Sequence, residues 1–135
     1  MANIRQVVFD LLANDPVLNG LGITADSIFN ANDVDTIRVR PFMITAWANT
    51  APGMDRVRQR SLRVWVHDEP SDYRRIDEVL DRVCELLTNQ YGVITGDNGR
   101  SVLQIEWEGD SDDLSDDVQR TITRNSDYNV VGSAV

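Results

Sequence analysis

Between Ser61 and Gln90 the spacing of apolar residues changes from two to about three and a half. Leu62, Val64 and Val66 alternate with Arg63, Trp65 and His67, the pattern of a strand with one buried face. After a break at Asp68-Glu69-Pro70, apolar residues recur at Tyr73, Ile76, Val79, Leu80, Val83, Leu86 and Leu87, which predicts an amphipathic helix. Ser71 or Asp72 caps it, and its acidic beginning with Arg74, Arg75 and Arg82 suits a solvated outer face. A strand thus feeds a helix that folds back onto the sheet.

The same reading extends along the chain. Ile4, Val7, Val8, Leu11 and Leu12 form one face of a first helix, with Asn3 as its cap and Asn14-Asp15-Pro16 as its end. From Val17 to Asp35, apolar residues are scattered among Gly, Asn and Asp, which predicts a long connection with room for one helical turn. Phe42 to Trp47 reads as a strand with Pro41 at its start, because proline cannot donate to a ladder. Pro52-Gly53 marks a turn within Ala48 to Asp55, and the chain returns from about Val57 to His67, making a hairpin with a long tip. Gly92 closes the central helix, Gly96-Asp97-Asn98-Gly99 turns the chain, and Val102, Leu103, Ile105 and Trp107 mark a further strand. A last strand runs from Val118 to Arg124, with Tyr128, Val130 and Val131 continuing it after a bend at Asn125. The order helix, strand, strand, helix, strand, strand predicts one α+β domain over residues 1–135, a mainly antiparallel sheet with two helices packed on one face.

Charge changes this picture more than composition does. Thirteen basic against 22 acidic residues leave a net charge of -9, which repels phosphate backbones and disfavours tight binding to DNA. Every basic residue is Arg, the ordinary mark of a GC-rich coding sequence, and each can make a planar, forked contact with a carboxylate. Cys84 stands alone, so no intrachain disulfide forms, and its helical position predicts a buried thiol in an intracellular folding compartment. The opening residues lack the layout of a secretion signal, and no apolar run approaches membrane-spanning length, so cytosolic synthesis and no membrane partner are expected.

Candidate chemistry is sparse. Serine or cysteine hydrolysis needs a base beside its nucleophile, and the one imidazole, His67, is expected at the solvent edge of a strand beside an acidic turn. A structural zinc site lacks its four Cys or His ligands, and no glycine-rich phosphate loop occurs, so no cofactor is expected. Asp110 to Asp117 offers oxygens at alternate positions, as a calcium loop does. It lacks the mid-loop Gly, however, and Thr121 stands where a closing Glu is required, so a solvated hairpin tip is the simpler reading and no metal site is assigned.

Opposite charge gathers elsewhere: Arg56, Arg58, Arg60 and Arg63 fall within eight positions after Pro52-Gly53-Met54. A basic loop on one hairpin and Asp110, Asp112, Asp113, Asp116 and Asp117 on another suit head-to-tail association of identical subunits, against the plain alternative of two unrelated solvated loops.

Phe42 to Trp47, Leu62 to Asp68 and Tyr73 to Val83, together with the opening helix and the late strands, resemble the tail terminator proteins of long-tailed (siphovirus) bacteriophages. The resemblance covers nearly the whole chain through element order and pattern, since that family has no short diagnostic motif. It implies a non-enzymatic α+β subunit that forms a hexameric ring, caps the tail tube, stops its polymerisation and offers the surface that docks the head. The implied partners are copies of itself, the tail tube protein and the head-tail connector protein, with DNA passing through the ring. The implied location is the head-proximal end of the virion tail, after assembly in the host cytoplasm. The alternatives are another head-tail connector or completion protein, and a small acidic metal-dependent enzyme.

Overall fold

A computed structural model describes residues 4–30, 39–52, 57–88, 91–95, 101–118 and 120–133. The elements are α1 (Ile4–Ala13), α2 (Pro16–Gly20), a 3-10 turn (Ala25–Ser27), β1 (Ile28–Asn30), β2 (Phe42–Pro52), β3 (Val57–Asp68), α3 (Arg74–Thr88), β4 (Tyr91–Thr95), β5 (Ser101–Asp110), β6 (Leu114–Asp116) and β7 (Thr121–Ser133). The strands form one sheet in the order β1-β2-β3-β7-β5-β4, with β6 pairing β7 where β5 leaves off. Among the described residues only β1 pairs in parallel, so the α+β, mainly antiparallel architecture read from the pattern holds.

Register explains which side chains meet the helices. Leu62, Val64 and Val66 of β3 lie opposite Tyr128, Ser126 and Arg124 of β7, and successive residues alternate between faces. The apolar members of these rows close over Ile76, Val79, Leu80, Val83 and Leu87 of α3 in one core cluster, joined by Val8 and Leu12 of α1 and by Met43 of β2. α3 lies directly on β3, β5 and β7, while α1 and α2 pack beside it. Cys84 is half-buried at the margin of this cluster rather than enclosed within it.

Several expectations need correction. The supposed long connection from Val17 carries α2, the 3-10 turn and β1 as far as Asn30, and residues 31–38 lie outside the described range. Asp15-Pro16 does not merely end α1. The Asp15 carboxylate caps α2 by accepting from the Leu18 amide at 3.1 Å, and Pro16 occupies the first turn, where its missing N–H costs nothing. Gly22 then takes a positive φ of 97°, and a Cβ there would sit 3.0 Å from the Pro41 ring.

Further along, α3 ends at Thr88, and Gly92 lies inside β4 rather than closing a helix. The last strand begins at Thr121 and runs without a break through Asn125, which pairs with Trp65. Its length follows from double pairing, since β3 holds one edge and β5 and β6 hold the other. The proposed cap Asn3 and the turns at 53–56 and 96–100 lie outside the described residues.

Candidate interaction surface

One face of the sheet carries the helices; the other is laid out in rows across β2, β3 and β7. Phe42, His67 and Thr123 form one row, Ile44, Trp65 and Asn125 the next, and Ala46, Arg63 and Asp127 a third. β6 extends the first row with Leu114, paired to Thr123, and places Asp116 beside Thr121. The result is a depression of about 440 Å³ lined by Ile44, Trp65, His67, Leu114, Asp116 and Asp117, of which Leu114 and Asp117 are exposed. A second depression of about 430 Å³ lies further along the strands, between Ala46, Ser61, Arg63, Glu108 and Asp127.

His67 is buried, not at a solvent edge. Its ring stacks on Phe42 with centroids 4.6 Å apart, Nδ1 lies 2.7 Å from the Thr121 hydroxyl, and it lines the depression. The alternation placed it correctly on the helix-free face, but β6 and Phe42 cover that part of the face. Burial lowers the imidazole pKa below its ordinary 6.5, with the nearby Asp116 charge opposing the shift. A base with a lowered folded pKa binds fewer protons folded than unfolded, so acidification below about pH 6.5 removes stability. Unfolding at about pH 7.5 and about pH 5.5 is therefore expected to show a loss in the wild type that His67→Gln reduces; equal losses in both proteins would contradict this environment.

The sequence-selected charges divide into distinct groups. Arg63 is held within the subunit: its Nε and Nη2 donate to the two carboxylate oxygens of Asp127 at 2.7 and 3.1 Å, and its guanidinium carbon lies 5.8 Å from the Trp65 ring centroid. Arg60 lies in β3 opposite Asn49 and Val130, Arg58 opposite Pro52 and Gly132, and Arg56 lies outside the described residues. Of these four, Arg63 has its described carboxylate partner in β7, outside the acidic segment.

That segment is more ordered than a solvated tip. A one-residue slip at Glu108 shifts the β5 register, so Asp110 faces Ser126 on the helix-bearing side. There Asp110 Oδ1 accepts from the Ser126 hydroxyl at 2.5 Å and from the Trp107 indole N–H at 3.0 Å. Arg124 reaches the same place: it pairs with Asp77 of α3, lies 3.6 Å from Asp113 and 4.0 Å from Asp110, and donates from Nε to the Ser111 carbonyl. Arg124 thus fastens the β5–β6 connection to α3, leaving Asp112 exposed. Asp116 accepts from the Val118 amide at 2.9 Å, and Asp117 is exposed in the depression lining.

Arg124 escaped the sequence reading, although a signal was present: it shares a strand face with Ile122, and a cation on a core-facing row requires a carboxylate partner. Two arginines assigned to the solvated face of α3 also make forked pairs, Arg75 with buried Asp68 at 2.7 and 2.5 Å and Arg82 with buried Asp15 at 2.9 and 2.7 Å. Among the described residues, no three His, Cys, Asp or Glu side chains converge as a metal site would require, and no helix is long and apolar enough to cross a membrane.

No family model and no curated protein matches the sequence. In three dimensions the chain is similar to a chain in a solved structure of the virion of a native gene transfer agent particle, with a TM-score of 0.72 over 96% of this chain and 94% of that one, at 8% sequence identity.

Proposed function

We propose that this chain is a structural, non-enzymatic subunit of a phage-like virion, and within it a tail terminator: a ring-forming protein that caps the tail tube and presents the surface on which the head docks. The observation that carries the proposal is the near end-to-end fold similarity to a chain of a gene transfer agent particle. The tail terminator resemblance in element order and apolar pattern points the same way. A sheet face that carries none of the described helices, with a depression lined by Trp65, Ile44 and Leu114, suits function by surface contact. A net charge of -9 favours a ring through which DNA passes without adhering.

Particles assembled without this chain test the proposal through the length distribution of their tail tubes. Overlong tubes are expected, because nothing then arrests polymerisation. Tubes of normal length that fail to join heads would overturn termination in favour of a connector role, and normal infectious particles would overturn both.

A further inference from the structure

His67 is 4% exposed, yet only one of its ring nitrogens is used within the chain. Nδ1 faces the Thr121 hydroxyl at 2.7 Å, whereas Nε2, on the other side of the ring, has no partner among the described residues and keeps contact with solvent. The depression that His67 lines is the opening for that contact. A nearly buried ring nitrogen left without a protein partner is a position at which an incoming polar group gains a hydrogen bond.

The other groups lining the depression define that incoming group. Trp65 offers an indole, Ile44 and Leu114 offer aliphatic surface, and Asp116 and Asp117 add negative charge. Asp117 is exposed, and the Asp116 charge is close enough to act on the imidazole. An anion is repelled from such a site, and a purely apolar group leaves Nε2 unsatisfied. A guanidinium suits every part of it: the plane stacks on an indole, the methylene stem covers aliphatic side chains, and the forked N–H donors reach carboxylate and imidazole together. An ammonium brings the charge without the plane. The same indole already takes a guanidinium within the chain, since Arg63, one row further along the sheet, lies with its guanidinium carbon 5.8 Å from the Trp65 ring centroid. For Nε2 to accept, Nδ1 carries the proton and donates to the Thr121 hydroxyl, a tautomer that the 2.7 Å separation allows. Exposed apolar side chains stand in or next to this lining, Leu114 within it and Val118 directly after Asp117, and they offer contact to residues flanking an arginine in a protein segment. We propose that the depression lined by Trp65, His67, Leu114, Asp116 and Asp117 is a docking site for an arginine side chain presented by a neighbouring protein of the particle. The inference rests on the assembly reading above and names the chemistry by which this face would recognise its neighbour.

Heteronuclear NMR of the isotope-labelled full chain at about pH 7.5, where the imidazole is neutral, tests it with three probes: the N-acetyl amides of arginine, lysine and citrulline. The arginine probe is expected to shift the Trp65 indole N–H and the amides of Leu114 to Asp117 saturably, with a Kd of about 1 to 10 mM. Citrulline, which keeps the shape and loses the charge, should bind at least about tenfold more weakly, and lysine at least about threefold more weakly. This comparison needs no variant. Asp116→Asn/Asp117→Asn should weaken the arginine probe at least about fivefold and reduce incorporation of the chain into particles by a similar factor. Shifts that do not saturate, shifts centred on another surface, or equal binding of the three probes would each overturn the proposal. A variant that loses the probe yet enters particles in full would overturn docking in favour of a free ligand. Tail length in particles lacking the chain is an independent readout. Overlong tubes alongside any of these failures would overturn this site and leave the terminator reading standing, and arginine-selective binding alongside tubes of normal length would do the reverse.

Discussion

Leu80→Ala is expected to lower the unfolding free energy by about 2 to 5 kcal/mol, a large part of the roughly 5 to 15 kcal/mol typical of a domain. Leu80 is 3% exposed and belongs to α3, the helix lying directly on β3, β5 and β7. The truncation removes transfer free energy and leaves a cavity that neighbours on a paired sheet cannot close. Leu86→Ala, at a half-buried position on the same helix, should cost clearly less. Urea unfolding followed by tryptophan fluorescence checks both, and equal losses would mean that α3 does not face the sheet through Leu80.

A second large effect is expected at Asp15, whose carboxylate ties two helices together. Its Oδ2 accepts from the Leu18 amide and from Arg82 Nε, and its Oδ1 accepts from Arg82 Nη2. Asp15→Ala removes the cap of α2 and the forked acceptor of Arg82, which keeps Glu85, and the lost cap alone gives an expected loss of about 1 to 2 kcal/mol. The Arg82 hydrogen bonds hold the Asp15 pKa below its ordinary 3.8, against the opposing effect of burial. A carboxylate with a lowered folded pKa contributes stability that is present above the ordinary pKa and lost as pH falls through the folded one. Wild type and variant should therefore converge in stability at the acid end of a pH series, and a constant gap down to about pH 2 would contradict the pairing.

The parts of this fold visible in the sequence are those with enough residues to establish a period. The alternation in β3 and the stripe of α3 each span several repeats, and both stand where the pattern placed them. α2 and β1 have five and three residues, too few for either period to appear, so that segment read as a connection. A local clue existed, because Asp15 followed by Pro16 is as much a helix start as a helix stop. β4 was hidden for a similar reason: Gly92 stood where a helix terminator is expected, although Val93, Ile94 and Thr95 are β-branched.

The interaction surface was legible residue by residue but not as a surface. Trp65 and His67 were assigned to the outward face of β3, but that β6 would wall in one end depends on a pairing between Leu114 and Thr123 that no spacing encodes. Arg63 was grouped with its sequence neighbours, whereas its partner, Asp127, comes from β7 directly opposite. Arg124 likewise draws together Asp77 of α3, Asp110 of β5 and Asp113 of the β5–β6 connection. Charge runs are a property of sequence; which members neutralise one another is set by register.

Cryo-electron microscopy of the head-tail junction in particles purified from the native producer tests the central claim most directly. The expected density is a closed ring of copies of this fold at the head-proximal end of the tail tube. A junction built without this chain would contradict the account.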